Sequence, residues 1–434
     1  MTEPQQHWTP TPALVRAVLV AAVLAGVAVL GRRVDVAVLA TPFVIGTVLA
    51  LLRRPLDAPT VRLTGSASSL LEGQALRLWV DISAADETTD IDVVAVTIAS
   101  TAFTVPMFNT VKHVGSLRPG EPCRVEIVVR TVRWGRRSIG PAVVRVVAAH
   151  GLLRLGALRS GLVTTATLPL REGFEAIDAV PRAEGLVGGH RSLRGGDGSD
   201  IAGVRPFQIG DRLHRINWPV SLRTDRLHVT STYSDRDTEV VIVLDTQHDI
   251  GIPGGIDGTS TSLDIAVRAA ASISEHYLRN GDRVSLIDLG QHFRRVPAGA
   301  GRAHLVRLLD VLLDVTARER GGAAVSTALA RVPHGALVLL LSPLVGETAT
   351  GRAIAIAHAG RPVLVVDTLP ADANPPERSP WTPLAWRLWL VERAIDKGRL
   401  TEFGVPVVRW QGSGSLDQVL RDVSRAASAP RARR

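Results

Sequence analysis

The sequence contains a single cysteine, Cys123, among 434 residues. One cysteine excludes an intrachain disulfide framework and any zinc site built on several thiolates. The flanking segment PCRVEIVV has the alternation of a strand and polar neighbours. This pattern predicts a buried structural thiol rather than a nucleophile.

Lysine is also scarce. Lys112 and Lys397 are the only two, and the net charge of +9 comes almost wholly from arginine. The arginines are scattered among acidic residues, and no basic run is interleaved with aromatic side chains. This distribution indicates a mixed-charge surface and no nucleic-acid partner. The apolar share of 46% excludes both a disordered chain and a membrane protein of many spans.

Charge is nearly missing from two segments close to the N-terminus. Residues 13–30 carry one charged side chain, Arg16, and residues 36–52 carry none. Helices of this length span roughly 26 Å, which suffices for a thin hydrocarbon layer. The short connection GRRVD requires a tight hairpin, and residues 1–12 lack the basic residues of a cleaved signal peptide. We therefore expect residues 1–58 to hold a transmembrane hairpin in the lipid bilayer of the plasma membrane, rather than a signal peptide or a buried core hairpin.

Arginine placement sets the expected orientation of this hairpin. Two arginines occupy the connection, and four flank the opposite ends of the helices. Since basic residues favour the cytoplasmic side, this asymmetry places both termini and the soluble domains in the cytoplasm. The two sets are Arg32 and Arg33, against Arg16, Arg53, Arg54 and Arg62.

Residues 59–170 change to short alternating strands separated by turns. The segments QALRLWVDI, IDVVAVTIA, CRVEIVVRTV and PAVVRVVAA are strand-like, and LRPGEP and RWGRRSIGP supply turns. Strands at this spacing without helices between them predict an all-β, antiparallel sandwich of immunoglobulin-like type. No catalytic constellation occurs here, so a spacer or docking role is expected.

Residues 171–237 contain a glycine-rich polar loop followed by a short charged stretch. Glycine permits positive φ values and aspartate closes turns on backbone N–H groups. Phosphate binding is an alternative, but the loop has no GxxxxGK[ST] motif. A metal site that combines His190 and His214 with Asp197 and Asp200 is another alternative, but the spacing matches no standard site.

This region resembles bacterial domain-of-unknown-function family 58 (DUF58). The family pattern is a G-(D/E)-G loop, then R-x-(Y/F)-x-x-G-D-x-x-R-x-I-x-W, then an A-R-like pair and L-x-V. The chain departs from it at Ile201, Asn217 and Leu222, where an aromatic residue, Asp and Ala are usual. The matching positions taken as the motif and possible docking residues are Gly196, Asp197, Gly198, Asp200, Arg205, Gly210, Asp211, Arg215, Trp218 and Arg223.

The resemblance implies a role without established enzymatic activity. Genes of this family tend to lie beside MoxR-type AAA+ ATPases and transglutaminase-like membrane proteins, which are therefore the expected partners. Within the motif, Asp211 lies close to Arg212 and Arg215 in sequence. Two readings stay open: a cluster held by Trp218 that locks the loop onto the following domain, or a docking epitope for the ATPase.

Residues 238–434 alternate strand and helix, from TEVVIVLDT to the final helix SLDQVLRDVSRAA. This alternation predicts a doubly wound, mostly parallel α/β sheet. The order resembles a von Willebrand A domain. Three tryptophans at 381, 386 and 389 are expected to pack a late helix against this domain, with a partner-facing aromatic patch as the alternative.

The resemblance to an A domain implies a magnesium site of the D-x-S-x-S type, which this sequence keeps only in part. Asp245 is present, but Gln247 and Asp249 stand at the two serine positions. Pro343 follows Ser342 where aspartate is expected, and Thr327 is the nearest threonine candidate. We expect a degenerate site at Asp245 and Asp249, no tight metal and no cofactor.

The function that these features predict is a membrane-anchored, non-enzymatic interaction module serving an AAA+ ATPase system. A metal-dependent adhesion or ligand-binding protein is the first alternative and would need a filled metal site. A hydrolase using Asp211, His214 and the loop aspartates Asp197 and Asp200 is the second, but no G-x-S-x-G, H-E-x-x-H or paired-carboxylate motif supports it.

Overall fold

The protein is described by a computed structural model that divides into two compact units. Unit 1 runs to Leu168 and includes Gly255–Asp257; unit 2 contains the remaining residues from Pro169 onward. The described residues are 7–52, 54–55, 57–83, 91–107, 111–112, 116–117, 122–171, 195–208, 213, 216–233, 239–290, 294–317, 332–333, 336–375, 379–412 and 414–415.

Unit 1 begins with two apolar helices, α1 (Pro12–Gly31) and α2 (Val34–Leu52), after the short strand β1 (Thr9–Pro10). Both helices are long and apolar enough to cross a membrane. Only 17% and 11% of their most apolar windows are buried, unlike the core helix of a soluble protein. Arg32 ends α1 in the left-handed conformation, which turns the chain within two residues into α2. Two candidate membrane helices near the N-terminus are therefore present.

The start of α1 is fixed to the β-structure of unit 1. Thr11 caps the helix and also donates a hydrogen bond to the carbonyl oxygen of Gly151 over 2.9 Å. Strand β1 pairs with β12 (Leu153–Arg154), so that Thr9 lies opposite Arg154. The cap and the strand pair together fix the N-terminal end of α1 to the β-structure of unit 1.

Three sheets form the β-structure of unit 1. They are ordered β1-β12-β11-β5-β7, with β13 and β8 as further partners, then β2-β4-β9-β6 and β10-β14-β3. The remaining strands are β2 (Thr60–Gly65), β3 (Ser69–Leu71), β4 (Ala75–Ser83), β5 (Ile91–Thr97), β6 (Thr104–Pro106), β7 (Val111–Lys112), β8 (Ser116–Leu117), β9 (Cys123–Thr131), β10 (Gly135–Ile139), β11 (Val143–Ala148), β13 (Leu158–Arg159) and β14 (Val163–Leu168).

The core of unit 1 follows directly from the alternation in its strands. Strand β4 buries every second residue, as the period-two pattern requires. Leu76, Leu78, Val80 and Ile82 are fully buried and belong to one apolar cluster with residues of β9 and β11. The four predicted strands are present as β4, β5, β9 and β11. The immunoglobulin-like assignment stays a prediction.

Unit 2 contains a six-stranded sheet and a separate two-stranded arm. The sheet order is β19-β18-β17-β20-β21-β22, and the arm pairs β15 with β16. The elements are β15 (Gly195–Pro206), α3 (Trp218–Thr224), β16 (His228–Tyr233), β17 (Glu239–Leu244), α4 (Ser262–Arg279), β18 (Arg283–Asp288), β19 (Arg295–Gly299), α5 (Gly301–Leu312), β20 (Leu337–Ser342), α6 (Glu347–His358), β21 (Val363–Asp367), α7 (Thr382–Glu402) and β22 (Val407–Arg409).

The main sheet is parallel except at one edge. Strands β17, β18, β20, β21 and β22 run parallel. The apolar runs of the first four are buried on both faces. Strand β19 pairs antiparallel with β18 and was not predicted from the sequence. It is short and contains Pro297, which fits an edge strand because proline cannot donate a ladder hydrogen bond.

Two expectations on local structure were wrong. The predicted glycine-rich loop gives way at Gly195 to a 12-residue strand, β15, because β16 supplies its hydrogen bonds. Trp381 does not pack the late helix: it is 75% exposed, immediately before α7. Trp386 and Trp389 are half-buried and stack on each other, with ring centroids 4.7 Å apart. Thr327 and the predicted final helix lie outside the described residues.

Candidate functional site

The family-like motif builds an arm of two strands and one short helix. Gly196 and Ile201 both face Thr232 of β16, so the intervening residues 197–200 form a bulge. The predicted residues Asp197, Gly198 and Asp200 lie in this bulge. Glycine accommodates the irregular backbone that a bulge requires.

Helix α3 is held against β16 through its inner side. The carbonyl oxygen of the Asn217 side chain accepts a hydrogen bond from the backbone N–H of Val220 over 3.2 Å, which caps the helix. The buried hydroxyl of Ser221 donates to the carbonyl oxygen of Asn217 and accepts from the backbone N–H of His228, at 2.7 and 2.9 Å. Because Asp caps a helix as well as Asn does, the family departure at Asn217 preserves this local structure.

The outer side of α3 carries large side chains that are open to solvent. Trp218 is 58% exposed and Leu222, one turn later, is 81% exposed. Arg223 is exposed on the same helix, and Leu213 is 71% exposed just before it. We call Trp218, Leu222 and Arg223 the α3 face.

The structure brings only part of the predicted motif together. Trp218 and Arg223 share α3, while Arg205 on β15 is half-buried and donates to the carbonyl oxygen of Pro206 over 3.2 Å. Gly210, Asp211, Arg212, His190, His214 and Arg215 lie outside the described residues. Both readings of the Asp211 cluster therefore stay predictions.

A second group of polar residues follows the carboxyl ends of the parallel strands. Asp245, at the end of β17, is buried and accepts a hydrogen bond from the hydroxyl of Ser342 over 2.6 Å. Next to it, Asp288 accepts from the hydroxyl of Thr246 over 2.6 Å and from the backbone N–H of Gly290 over 2.9 Å. These bonds supply partners for carboxylates that burial would otherwise destabilise.

The residues at the two serine positions of the D-x-S-x-S loop, Gln247 and Asp249, form hydrogen bonds within the domain. Gln247 accepts a hydrogen bond from the guanidinium of Arg352 over 3.2 Å. Burial lowers the pKa of Arg352, and the nearby charge of Asp245 opposes that shift. Asp249 accepts instead from the backbone N–H of Leu263, at the start of α4, over 3.0 Å. A divalent metal does not fit these positions, because the guanidinium of Arg352 lies beside Gln247 and the carboxylate of Asp249 is hydrogen-bonded to the backbone of α4.

The metal-binding residue types give no further candidate in the described part of the chain. Among the described residues, no group of three or more His, Cys, Asp or Glu side chains could hold a metal ion. The expectation of no tight metal stays a prediction until it is measured.

Two basic residues of α7, Arg393 and Lys397, contact a third carboxylate at the carboxyl ends of the strands, that of Asp367. Asp367 at the end of β21 is 2% exposed and pairs with the buried guanidinium of Arg393. Lys397, one turn later on the helix, reaches the other carboxylate oxygen over 2.5 Å. Arg393 also donates to the carbonyl oxygen of Pro343 over 2.9 Å. The cluster ties α7 to β21 and to the end of β20.

Sequence reasoning missed Arg352, Arg393 and Lys397. The spacing of Arg393 and Lys397 places them on one side of a helix, which was a usable signal. Their acceptor, Asp367, lies 26 and 30 residues earlier in the chain. No local pattern identifies that pairing.

The lone thiol is placed as a structural residue. Cys123 begins β9, pairs with Ile82 and is half-buried beside the apolar core of unit 1. Burial raises the pKa of its thiol. Because the thiolate is the reactive form, this environment disfavours a nucleophilic role.

Comparison with known proteins identifies relatives of the chain. Uncharacterised proteins of Mycobacterium bovis and Mycobacterium tuberculosis are each 30% identical to it over 257 residues, which covers 57% of this chain and 73% of each relative. A family model described as a protein of unknown function, DUF58, matches residues 203–378. The chain belongs to the DUF58 family.

The DUF58 match contains the α3 face and the polar residues at the carboxyl ends of the parallel strands, from Asp245 to Asp367. The apolar hairpin, the β-structure of unit 1 and α7 lie outside it. A solved cupredoxin domain of amoB from Nitrosocaldus yellowstonii covers 25% of this chain and 86% of its own, at 11% identity. Its TM-score of 0.17 is too low to inform the fold.

Proposed function

We propose that this DUF58 protein is a membrane-anchored, non-enzymatic interaction module that works with a MoxR-type AAA+ ATPase. The α3 face is the proposed docking site. The observation that carries the proposal is the exposure of Trp218 and Leu222 on a helix that Asn217 and Ser221 fix from behind. Tryptophan and arginine are enriched among residues that dominate interface energies.

The α1–α2 hairpin supplies the anchor in this proposal. Large apolar residues cover its surface, with Val23 63% and Leu39 63% exposed. Such surface is stable in a hydrocarbon layer and unstable in water. The arginine asymmetry favours a multi-pass arrangement with both soluble units in the cytoplasm, where an AAA+ ATPase would reach them.

The proposal includes the fold of both units, a von Willebrand A-like domain in unit 2 and an immunoglobulin-like sandwich in unit 1. Counted along the chain from β17, the six strands of the main sheet follow the order 3-2-1-4-5-6, which is a doubly wound order. This order supports a von Willebrand A-like domain. The antiparallel pairs of β4 with β2 and β9 support an immunoglobulin-like sandwich in unit 1.

The hydrogen-bonded carboxylates at the carboxyl ends of the parallel strands support a non-enzymatic role. Asp245, Asp288 and Asp367 each accept hydrogen bonds from neighbours within the domain. A general base needs a carboxylate that can reach a substrate proton. Carboxylates that already accept hydrogen bonds from donors of the same domain act as structural ties between the strand ends.

Binding of the purified MoxR-type ATPase to the full chain in detergent tests the docking site. We expect Trp218→Ala and Leu222→Ala each to weaken binding by about tenfold or more, because interface truncations at such anchors remove on the order of 2 kcal/mol. Their melting temperatures should stay within about 2 °C of the parent, since both side chains are exposed.

Val306→Ala is the matched control, because Val306 is 62% exposed on α5 and is not part of the α3 face. Equal affinity of the parent and both α3-face variants would refute the docking site. Loss of binding in the control as well would show a nonspecific apolar contact.

A further inference from the structure

Helix α7 has an apolar stripe on its outward side. Trp381, directly before the helix, is 75% exposed, and Leu384, Leu388, Val391 and Ile395 are 65%, 60%, 56% and 60% exposed. These residues are spaced three, four, three and four apart, which is the repeat that places side chains along one helix face. We call these five residues the α7 stripe.

The opposite side of α7 attaches the helix to its own domain. Arg393 and Leu400 are buried, and Trp386 and Trp389 are half-buried against each other. The α7 stripe therefore points away from the core that holds the helix. Its five side chains leave on the order of 500 Å² of contiguous apolar surface, a size that marks an interaction site.

We propose that the α7 stripe pairs with the same stripe of a second copy of this chain, with the two helices parallel. A repeat of apolar residues alternately three and four apart is the pattern that two packed helices require at their seam. Covering the stripe on both copies buries roughly 1,000 Å² in total, the lower limit for a specific protein interface. This area predicts a dimer that dissociates on dilution.

The charges beside the stripe select the second copy and the parallel direction. Arg387 and Glu392 are exposed and flank the stripe on opposite edges, five residues apart. In a parallel pair, this spacing places Arg387 of one copy beside Glu392 of the other, twice by symmetry. An antiparallel pair centred on Leu388 would bring the two Arg387 side chains together instead.

Charge exchange in the full chain tests this pairing. Sedimentation in detergent should show that Arg387→Glu and Glu392→Arg each raise the dimer dissociation constant about tenfold, since each places like charges together twice. The double variant, which restores opposite charges, should return to near the parental constant. An equimolar mixture of the two single variants should form the mixed dimer in preference to either homodimer.

Two further variants fix the core contact and the direction. Leu388→Glu should leave a monomer, whereas Val306→Glu on α5 should dimerise like the parent, because Val306 lies outside the stripe. With Cys123→Ser as background, Trp381→Cys should form a disulfide-linked dimer under mild oxidation. A pair formed only between Trp381→Cys and Ile395→Cys variants would overturn the parallel direction.

The remaining outcomes overturn the proposal as a whole. A parent that stays monomeric at every concentration contradicts it, and so do charge variants whose self-association is unchanged. Flotation with phosphatidylcholine–phosphatidylglycerol vesicles addresses the competing occupant. Because the hairpin itself inserts into lipid, the readout is protection from an aqueous quencher of a fluorophore attached to Trp381→Cys in the Cys123→Ser background. Vesicle-dependent protection in a monomer would assign the stripe to the membrane surface.

Discussion

Removal of the Asp367 carboxylate should destabilise unit 2 more than any surface substitution nearby. In Asp367→Ala, the guanidinium of Arg393, which is 7% exposed, loses its anionic partner while it stays buried. The ammonium of Lys397 loses the same partner, but it is 32% exposed and water can replace part of the interaction. An uncompensated buried charge costs about 3–5 kcal/mol of unfolding free energy.

This free energy is large enough to measure in two ways. For a domain of about 200 residues, each kcal/mol lowers the melting temperature by about 2–4 °C, so a decrease of about 10 °C is expected. Hydrogen exchange should also show early loss of protection in α7, since Asp367 ties that helix to β21. Urea unfolding followed by circular dichroism gives the free energy directly.

Two controls separate this effect from general damage. Asp372→Ala removes an exposed carboxylate from the following loop and should change stability by less than about 0.5 kcal/mol. Lys397→Met should cost only about 1 kcal/mol, because the Arg393 pair remains. If Asp367→Ala unfolds at the same urea concentration as the parent, the buried ion pair does not contribute as the structure indicates.

Three further predictions concern metal binding, packing and thiol reactivity. Calorimetric titration of the full chain with Mg²⁺ should give weak or no binding, and a micromolar isotherm abolished by Asp245→Ala would contradict the account of the carboxyl ends of the parallel strands. Gly290→Ala should lower the unfolding free energy by about 1–3 kcal/mol, because a Cβ there would overlap the hydroxyl of Thr246; an unchanged denaturation midpoint would show that the turn relaxes. Since burial raises the pKa of Cys123, the alkylation rate of its thiol in the native state at pH 8 should be lower than that of glutathione. This rate should continue to increase at pH values at which an ordinary thiol is already fully ionised. An equal rate at pH 8 would show an unshielded thiolate.

The sequence predicted the regular elements well where the pattern was local. The buried runs that became β17, β20 and β21 are recognisable because parallel strands covered on both faces consist almost wholly of apolar residues. Strand β4 is recognisable from strict alternation.

Prediction failed where long-range contacts decide the structure. The glycines of β15 favour a loop locally, but pairing with β16 imposes a strand. The exposure of Trp381 could not be predicted from the sequence of α7, because the helix has apolar residues on two sides. The structure turns the side of Arg393 and Leu400 inward. The ties among Asp245, Ser342 and Arg352 join three segments that are far apart in the chain.

Site-specific photocrosslinking from the α3 face tests whether this face contacts the ATPase in the membrane. A photoreactive amino acid replaces Leu222 in the full chain, which is then illuminated in native membranes. We expect a covalent adduct with the MoxR-type ATPase that a reactive group at Val306 does not form. Adducts of equal yield from both positions, or none from Leu222 while the ATPase is present, would contradict the claim that the α3 face docks this partner.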